Sequence, residues 1–293
     1  MRVTFWGVRG STPAPGAEFV RYGGHTTCVS VVVGERVLVL DAGTGIRPLG
    51  RSLAGDSRDV FVLFTHRHAD HLLGFPFFAP LYEAGRELHL LPLGEGEARW
   101  SPLSLLDGVH YPLYPGDLPC AIRDVVEAPD SYLRTHGLDV AQQAVNHPGG
   151  AVGYRVTHRG RTFVFIPDDE LDPPEPAVDR GEIVAFCRGA DVLCHDAQYL
   201  GAEIAERRGW GHSSVDEAVA LAVEAGVGHL VLFHHDPDRT DDELDGIQAE
   251  AERRLALHGI GCTVAYEGLN VDFGSGDAVL PPPAPVATKA ESA

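Results

Sequence analysis

Thr65-His66-Arg67-His68-Ala69-Asp70-His71 brings three histidines and an aspartate together directly after the apolar run Val60–Phe64. A short, continuous apolar run of this kind reads as a strand buried on both faces. The run stops at Thr65, so the donors begin where the strand ends. His66 and His68 are two positions apart, and in an extended segment such side chains leave the same side of the chain. Asp70 and His71 follow where a helical turn can begin. Imidazole and carboxylate are ligands of zinc and similar divalent metals. With 15 His in 293 residues, chance assembly of this pattern has a probability on the order of 0.003, a low false-positive risk for a motif. The segment reads as a metal site at the end of a buried strand.

One segment supplies too few ligands for two ions, and three others offer more. His147 lies in the Gly-rich loop Asn146-His147-Pro148-Gly149-Gly150. Asp168 lies in Pro167-Asp168-Asp169-Glu170, directly after the apolar run Thr162–Ile166. His234 and His235 end the run His229–Phe233. Loops held by a rigid scaffold are the usual address of functional groups. A carboxylate such as Asp168 can bridge two cations and offset part of their charge. Gly7-Val8-Arg9-Gly10 and Gly43-Thr44-Gly45 lack the spacing of a nucleotide-binding loop and read as turns, though a Gly-rich backbone near the metals could touch substrate.

Farther out, Val29–Val33 and Arg36–Leu40 form a hairpin across Gly34-Glu35, and Gly153–Thr157 with Thr162–Ile166 forms a second. Leu88–Leu91, Val192–His195 and Gly261–Tyr266 read as further strands. From Pro92 to about Leu138 the pattern is weak and reads as an irregular crossover or insertion that covers a site. Capping boxes at Ser214-x-x-Glu217 and Thr240-x-x-Glu243 open two helices. A hairpin-rich sheet with helices, a crossover and the same again predict two mixed sheets face to face with helices outside, an αββα sandwich. One domain spans 1–275. The Pro-rich stretch after it marks 276–293 as a disordered tail.

The net charge of −19 disfavours a general nucleic-acid binder, whose affinity comes from Lys and Arg. Five cysteines without a Cys-x-x-Cys pair suit free thiols in a reducing cytoplasm. The N-terminus has no apolar signal region and no apolar run spans a membrane, so a cytoplasmic protein is expected. A homodimer is left open.

These residues resemble the metallo-β-lactamase superfamily, whose hallmark is His-x-His-x-Asp-His, from about Val3 to about Tyr266. The resemblance implies that His66, His68 and His147 hold one metal, that Asp70, His71 and His234 hold the second, and that Asp168 bridges them. It makes Asp41 an orienting aspartate for a ligand histidine. It also implies a site at the edge between the sheets. The nearest look is to the ribonuclease Z and cyclic-phosphodiesterase branch. His195-Asp196-Ala197-Gln198 resembles that branch's His-Glu-Ala-Thr, and Gly211-His212-Ser213-Ser214 its Gly-His-Ser-Thr. By that resemblance Asp196 and His212 protonate the leaving group. Asp196 stands where the branch has Glu, Asp169 where Thr is usual and His25 where Asn is common. The pairs His68/His71 and His234/His235 leave open which ring faces a metal, and His234 is preferred.

The expectation is a hydrolase with two divalent ions per chain, zinc foremost and manganese or iron(II) as alternatives. It cleaves a small or cyclic phosphodiester through a metal-bridging hydroxide. Asp70 orients the nucleophile and His212 acts as general acid. A lactonase or thioesterase with the same metals is the first rival, though better or tethered leaving groups need no separate acid. An iron-dependent oxidoreductase is the second.

Overall fold

A computed structural model describes residues 1–93 and 99–274. The tail expected from residue 276 lies outside the described residues. The first sheet begins with β1 (Arg2–Gly7), β2 (Cys28–Val33), β3 (Arg36–Leu40), β4 (Asp59–Leu63), β5 (Glu87–Leu90) and β6 (Ala121–Asp124). The second comprises β7 (Asp139–Val145), β8 (Ala151–His158), β9 (Arg161–Ile166), β10 (Val192–Asp196), β11 (His229–Phe233) and β12 (Gly261–Val264). The chain then returns, and β13 (Asn270–Asp272) pairs with β1. Strand orders are β13-β1-β2-β3-β4-β5-β6 and β12-β11-β10-β9-β8-β7. Each sheet joins an antiparallel half to a parallel half: β3 to β6 run parallel in one, β9 to β12 in the other.

The period of two along each strand builds three apolar layers. Phe61 and Leu63 of β4 meet Phe163 and Phe165 of β9 and Phe233 of β11 between the sheets. Val60, Val62 and Phe64 face the other way, onto Ile46 and Leu49 of α1 (Ile46–Ser52) and onto Phe75 and Phe78. Val164 and Ile166 pack outward in a cluster with helices α3 (Arg180–Cys187), α5 (Val215–Ala225) and α6 (Asp241–Ala256). Two short helices, α2 (Pro129–Thr135) and α4 (Ile204–Arg207), complete the set. Strands buried on both faces read as unbroken apolar runs, which is why β4, β9 and β11 are visible in the sequence. The αββα sandwich is the expected one.

The region from Pro92 to Leu138 departs from its reading. Its described part carries β6 and α2 in addition to short turns. Tyr111 donates to the Leu73 carbonyl, and Leu103, Leu105 and Leu118 pack on the outer face of the first sheet. Its described part extends that sheet through β6. β6 is an edge strand whose polar Arg123 and Asp124 break the apolar pattern.

Parallel strands deliver their C-terminal ends to one edge of a sheet, where open α/β sheets place their ligands. Here the edges of both sheets meet. Asp41 follows β3, the histidine motif follows β4, His147 follows β7, and Asp168 follows β9. Asp196 ends β10 and His234 follows β11.

Candidate metal centre

After β4 the chain makes a single 3-10 turn, Ala69–His71, which bends Asp70 and His71 back toward His66. His66, Asp70, His71, Asp168 and His234 are buried, His147 is half-buried and His68 is exposed. His71 Nε2 lies 3.2 Å from Asp70 Oδ2 and 3.1 Å from Asp168 Oδ1. His234 Nε2 lies 3.2 Å from Asp70 Oδ2 and 3.4 Å from Asp168 Oδ1. The other oxygen of Asp168, Oδ2, is 3.7 Å from His66 Nε2 and 3.8 Å from His147 Nε2. His147 Nε2 is 2.9 Å from His68 Nδ1. Tetrahedral bonds of about 2.0–2.1 Å place neighbouring ligand atoms ~3.4 Å apart, so these are the separations of a coordination sphere. Asp168 turns one oxygen to each group.

The far side of each buried ring is occupied. His71 Nδ1 donates to Asp41 Oδ2 at 2.9 Å, His147 Nδ1 to the Gly211 carbonyl at 2.7 Å, and His234 Nδ1 to Gln198 Oε1 at 2.9 Å. His66 Nδ1 meets Thr65 Oγ1 at 3.1 Å. A proton spent at Nδ1 leaves the Nε2 lone pair for the cluster. His66 Nε2, His71 Nε2 and Asp168 Oδ1 are buried without a hydrogen-bond partner. Each such atom costs about 1–3 kcal/mol, a cost that a cation among them removes. The residues fit a divalent metal.

Electrostatics agree with the geometry. Burial pushes the His71 pKa down, but attraction by Asp168, Asp70 and Asp41 outweighs it and raises the pKa well above the ordinary range. Burial likewise raises Asp70 and Asp168, yet the surrounding histidines hold both carboxyls below the usual range. Burial, aided by the neighbouring imidazole of His71, lowers His66. The cluster attracts positive charge.

Asp41 accepts from the Thr65 N–H at 2.7 Å and from its hydroxyl at 2.8 Å, besides His71. Asp41 and His234 have φ of 62° and 60°, a region that non-glycine residues occupy mainly where the surroundings enforce it. Next to the donors, His212 Nδ1 donates to Asp196 Oδ2 at 2.7 Å. Burial lowers the His212 pKa, but the charge and hydrogen bond of Asp196 raise it to about 9. Asp196 also accepts the Gln198 N–H at 3.0 Å and the Asp169 N–H at 3.2 Å.

Two candidates stand apart. His25 Nδ1 lies 3.1 Å from Thr44 Oγ1. His235 turns its Nε2 to the Ala265 carbonyl at 2.8 Å, and burial pulls its pKa down to about 3. Three contributors escaped the sequence reading. Ser11 donates its N–H to Asp70 Oδ2 at 2.8 Å. Gly10 lies so close to His234 that a Cβ would stand 2.4 Å from the ring. Gln198 braces His234. The turn Gly7-Val8-Arg9-Gly10 is therefore part of the site, and the glycine at 10 was its one local signal.

An αββα sandwich with His and Asp donors gathered where its sheets meet is the architecture of a metal-dependent hydrolase, and it suggests divalent metal binding. Residues 36–235 match the family described as the beta-lactamase superfamily domain, and the chain belongs to that superfamily. A ribonuclease Z of Bradyrhizobium sp. (strain ORS 278) is 31% identical over 260 residues, covering 72% of this chain and 83% of that protein. The zinc-bound PqqB of Methylobacterium extorquens shares the fold with a TM-score of 0.64 at 20% identity, over 93% of this chain and 100% of that one. A diphosphatase from the PhnP family does so with a TM-score of 0.62 at 19% identity, over 93% and 97%. No helix among the described residues is long and apolar enough to cross a membrane.

Proposed function

We propose that the protein is a dinuclear metal-dependent phosphodiesterase acting on a small or cyclic phosphodiester. The observation that carries this reading is the Asp196–His212 pair, 2.7 Å apart beside the donor cluster. His66, His68 and His147 would hold one ion and Asp70, His71 and His234 the other, with Asp168 between them. Zinc is the expected metal, with manganese or iron(II) as alternatives. Bound there, two divalent ions supply Lewis acidity to the phosphoryl oxygens and lower the pKa of water.

The chain's own groups do the rest. Asp70, steadied by the Ser11 N–H, orients the attacking water and accepts its proton. His212, held protonated by Asp196, passes its Nε2 proton to the departing alkoxide. An alkoxide of ribose or an alkyl alcohol leaves poorly without that proton. Lactones and thioesters have less need of such an acid, which weighs against acyl hydrolysis. The relative named ribonuclease Z and the diphosphatase of the same fold support chemistry at phosphorus. The net charge of −19 favours a small substrate over a nucleic acid.

Protein loaded with zinc or manganese is expected to hydrolyse bis(p-nitrophenyl) phosphate, to stop on chelation and to recover when metal is returned. Ready cleavage of lactones or thioesters, with no phosphodiester cleaved by any metal form, would replace this reading with acyl hydrolysis.

A further inference from the structure

Of the three acids in Pro167-Asp168-Asp169-Glu170, the last stands outside the donor cluster, yet it is 1% exposed. Glu170 reaches the loop Gly209-Trp210-Gly211, which leads from α4 to His212. It accepts the Gly209 N–H with both carboxylate oxygens at 2.9 Å and the Gly211 N–H with Oε2 at 2.9 Å. Gly209 and Gly211 each have φ of 89°. Glycine enters that region about as readily as the ordinary one, so a loop with two of them has little shape of its own. The buried carboxylate selects the shape.

Gly211 touches both functional histidines. Its carbonyl accepts His147 Nδ1 at 2.7 Å, and His212 is the next residue. A Cβ on Gly211 would stand 2.4 Å from His147 Nδ1 and 2.2 Å from Pro148 Cδ, so its backbone lies directly against that ring. Glu170 also donates its own N–H to the Asn146 carbonyl at 2.8 Å. His147 is therefore gripped from two directions, by the main chain of Glu170 through Asn146 and by its side chain through Gly211. The neighbouring residue completes the hold on His212. The Asp169 carbonyl accepts the Ser213 hydroxyl at 2.6 Å, and the Asp169 N–H donates to Asp196 Oδ2 at 3.2 Å. Arg208 bonds to Glu217 in the cap of α5 and leaves a buried, unpartnered Nη1 3.9 Å from Glu170 Oε1. Its charge faces the carboxylate that shapes the loop.

We propose that Glu170 is a positioning residue, which through Gly211 sets the ring of His147 and the acid His212 relative to each other. The His212 half rests on the phosphodiesterase reading; the His147 half rests on the donor cluster alone. A misplacement of about 1 Å can cost ~10²-fold in rate. Loss of the support behind a ligand histidine costs ~10–100-fold in metal affinity.

Glu170→Ala removes every acceptor, whereas Glu170→Gln keeps an oxygen where Oε2 meets both N–H groups. Competition of the zinc-loaded full chain with a chromophoric chelator reads the first half. Glu170→Ala is expected to weaken one of the two ions by about 10–100-fold, and Glu170→Gln to restore most of that affinity. The second half is read from kcat/KM across leaving groups. Glu170→Ala should lose about 10²-fold with an alkyl or ribose leaving group and far less with p-nitrophenolate, and Glu170→Gln should again restore most of it. The double variant Glu170→Ala, His212→Ala should depend on leaving-group pKa no more steeply than His212→Ala, because both act on one proton transfer. An equal loss with every leaving group overturns the proposal, as does wild-type zinc affinity in Glu170→Ala. So does a double variant steeper than His212→Ala, or a Gln variant as impaired as the Ala variant. Should Glu170→Ala fail to fold, Glu170→Asp, with its carboxylate drawn back by one methylene, takes its place, and wild-type behaviour of that variant in both measurements overturns the proposal. A protein that cleaves no phosphodiester, but whose zinc affinity falls in Glu170→Ala and returns in Glu170→Gln, keeps Glu170 in its role toward His147 and loses the activity. Phosphodiester cleavage with both measurements indifferent to Glu170 does the reverse.

Discussion

His212 shows how little a residue's identity says without its neighbours. A histidine just before a helix is ordinarily a structural donor, and the 2.7 Å contact with Asp196, aided by the charges of Asp168 and Asp70, gives it the electrostatics of an acid. Replacing it with alanine is expected to leave metal content and fold in place and to cost rate according to the leaving group. With p-nitrophenolate, already a good leaving group, the loss should be small. With an alkyl or ribose leaving group it should approach the ~10²–10⁴-fold of general acid catalysis. Asp196→Asn should act in the same direction with a smaller effect. The measurement is kcat/KM against leaving-group pKa for wild type and both variants. A steeper dependence in the variants supports proton donation, and parallel lines would reduce His212 to a support for the loop. The donors His66 and His68 are legible from their spacing alone. Ser11 and Gln198 are not, because their partners Asp70 and His234 are remote in the chain and the contacts exist only after folding.

Among the elements, α5 and α6 were legible because their start signals are local. Ser214 and Glu217, like Thr240 and Glu243, exchange capping hydrogen bonds across one helical turn. Thr240→Ala removes the cap of α6 and touches none of the donors. It is expected to cost about 1 kcal/mol, seen as a fall of about 2–4 °C in Tm for a chain of this size, with kcat/KM unchanged. A loss of activity without a loss of stability would mean that α6 feeds into the site by a route other than packing. Three of the elements that went unseen share a cause. β7 has exposed or half-buried positions along most of its length, and β13 is three residues long and is defined only by pairing with β1. α3 buries only Ile183 and Cys187. Where apolar periodicity is short or broken, tertiary pairing decides the element.

At the scale of the molecule, the cluster ties both sheets together through buried lone pairs and carboxylates. A metal that binds there and not to the unfolded chain stabilises the fold by about 2.7–4.1 kcal/mol when present at 100 to 1,000 times its Kd. Chelation should therefore lower Tm by roughly 5–15 °C. Calorimetry with and without chelator, alongside elemental analysis, provides the check. About two ions per chain are expected, and the double variant His66→Ala, His68→Ala should hold less metal and lose much of the chelator effect. A Tm indifferent to chelator, with metal content unchanged in the double variant, would refute the assignment of the motif.

Features that depend on neighbours along the chain were already written in the residues. Val60–Phe64 had to be a doubly buried strand, Gly34-Glu35 a hairpin turn and Ser214 a helix start. His66 and His68 had to share one side of an extended segment. These follow from periods of two and 3.6 residues and from capping chemistry, which act over a few residues. Which of the remaining donors meet was settled by folding. His234 and His235 are chemically identical neighbours. The N–H of His235 donates to the Val8 carbonyl, and its own carbonyl accepts the Gly10 N–H. Docking the end of β11 on that turn sends the His235 ring to the Ala265 carbonyl and leaves the His234 ring beside Asp70 and Asp168. Coordination requires lone pairs from different strand ends to converge within a few ångströms, and sheet order and register set that convergence.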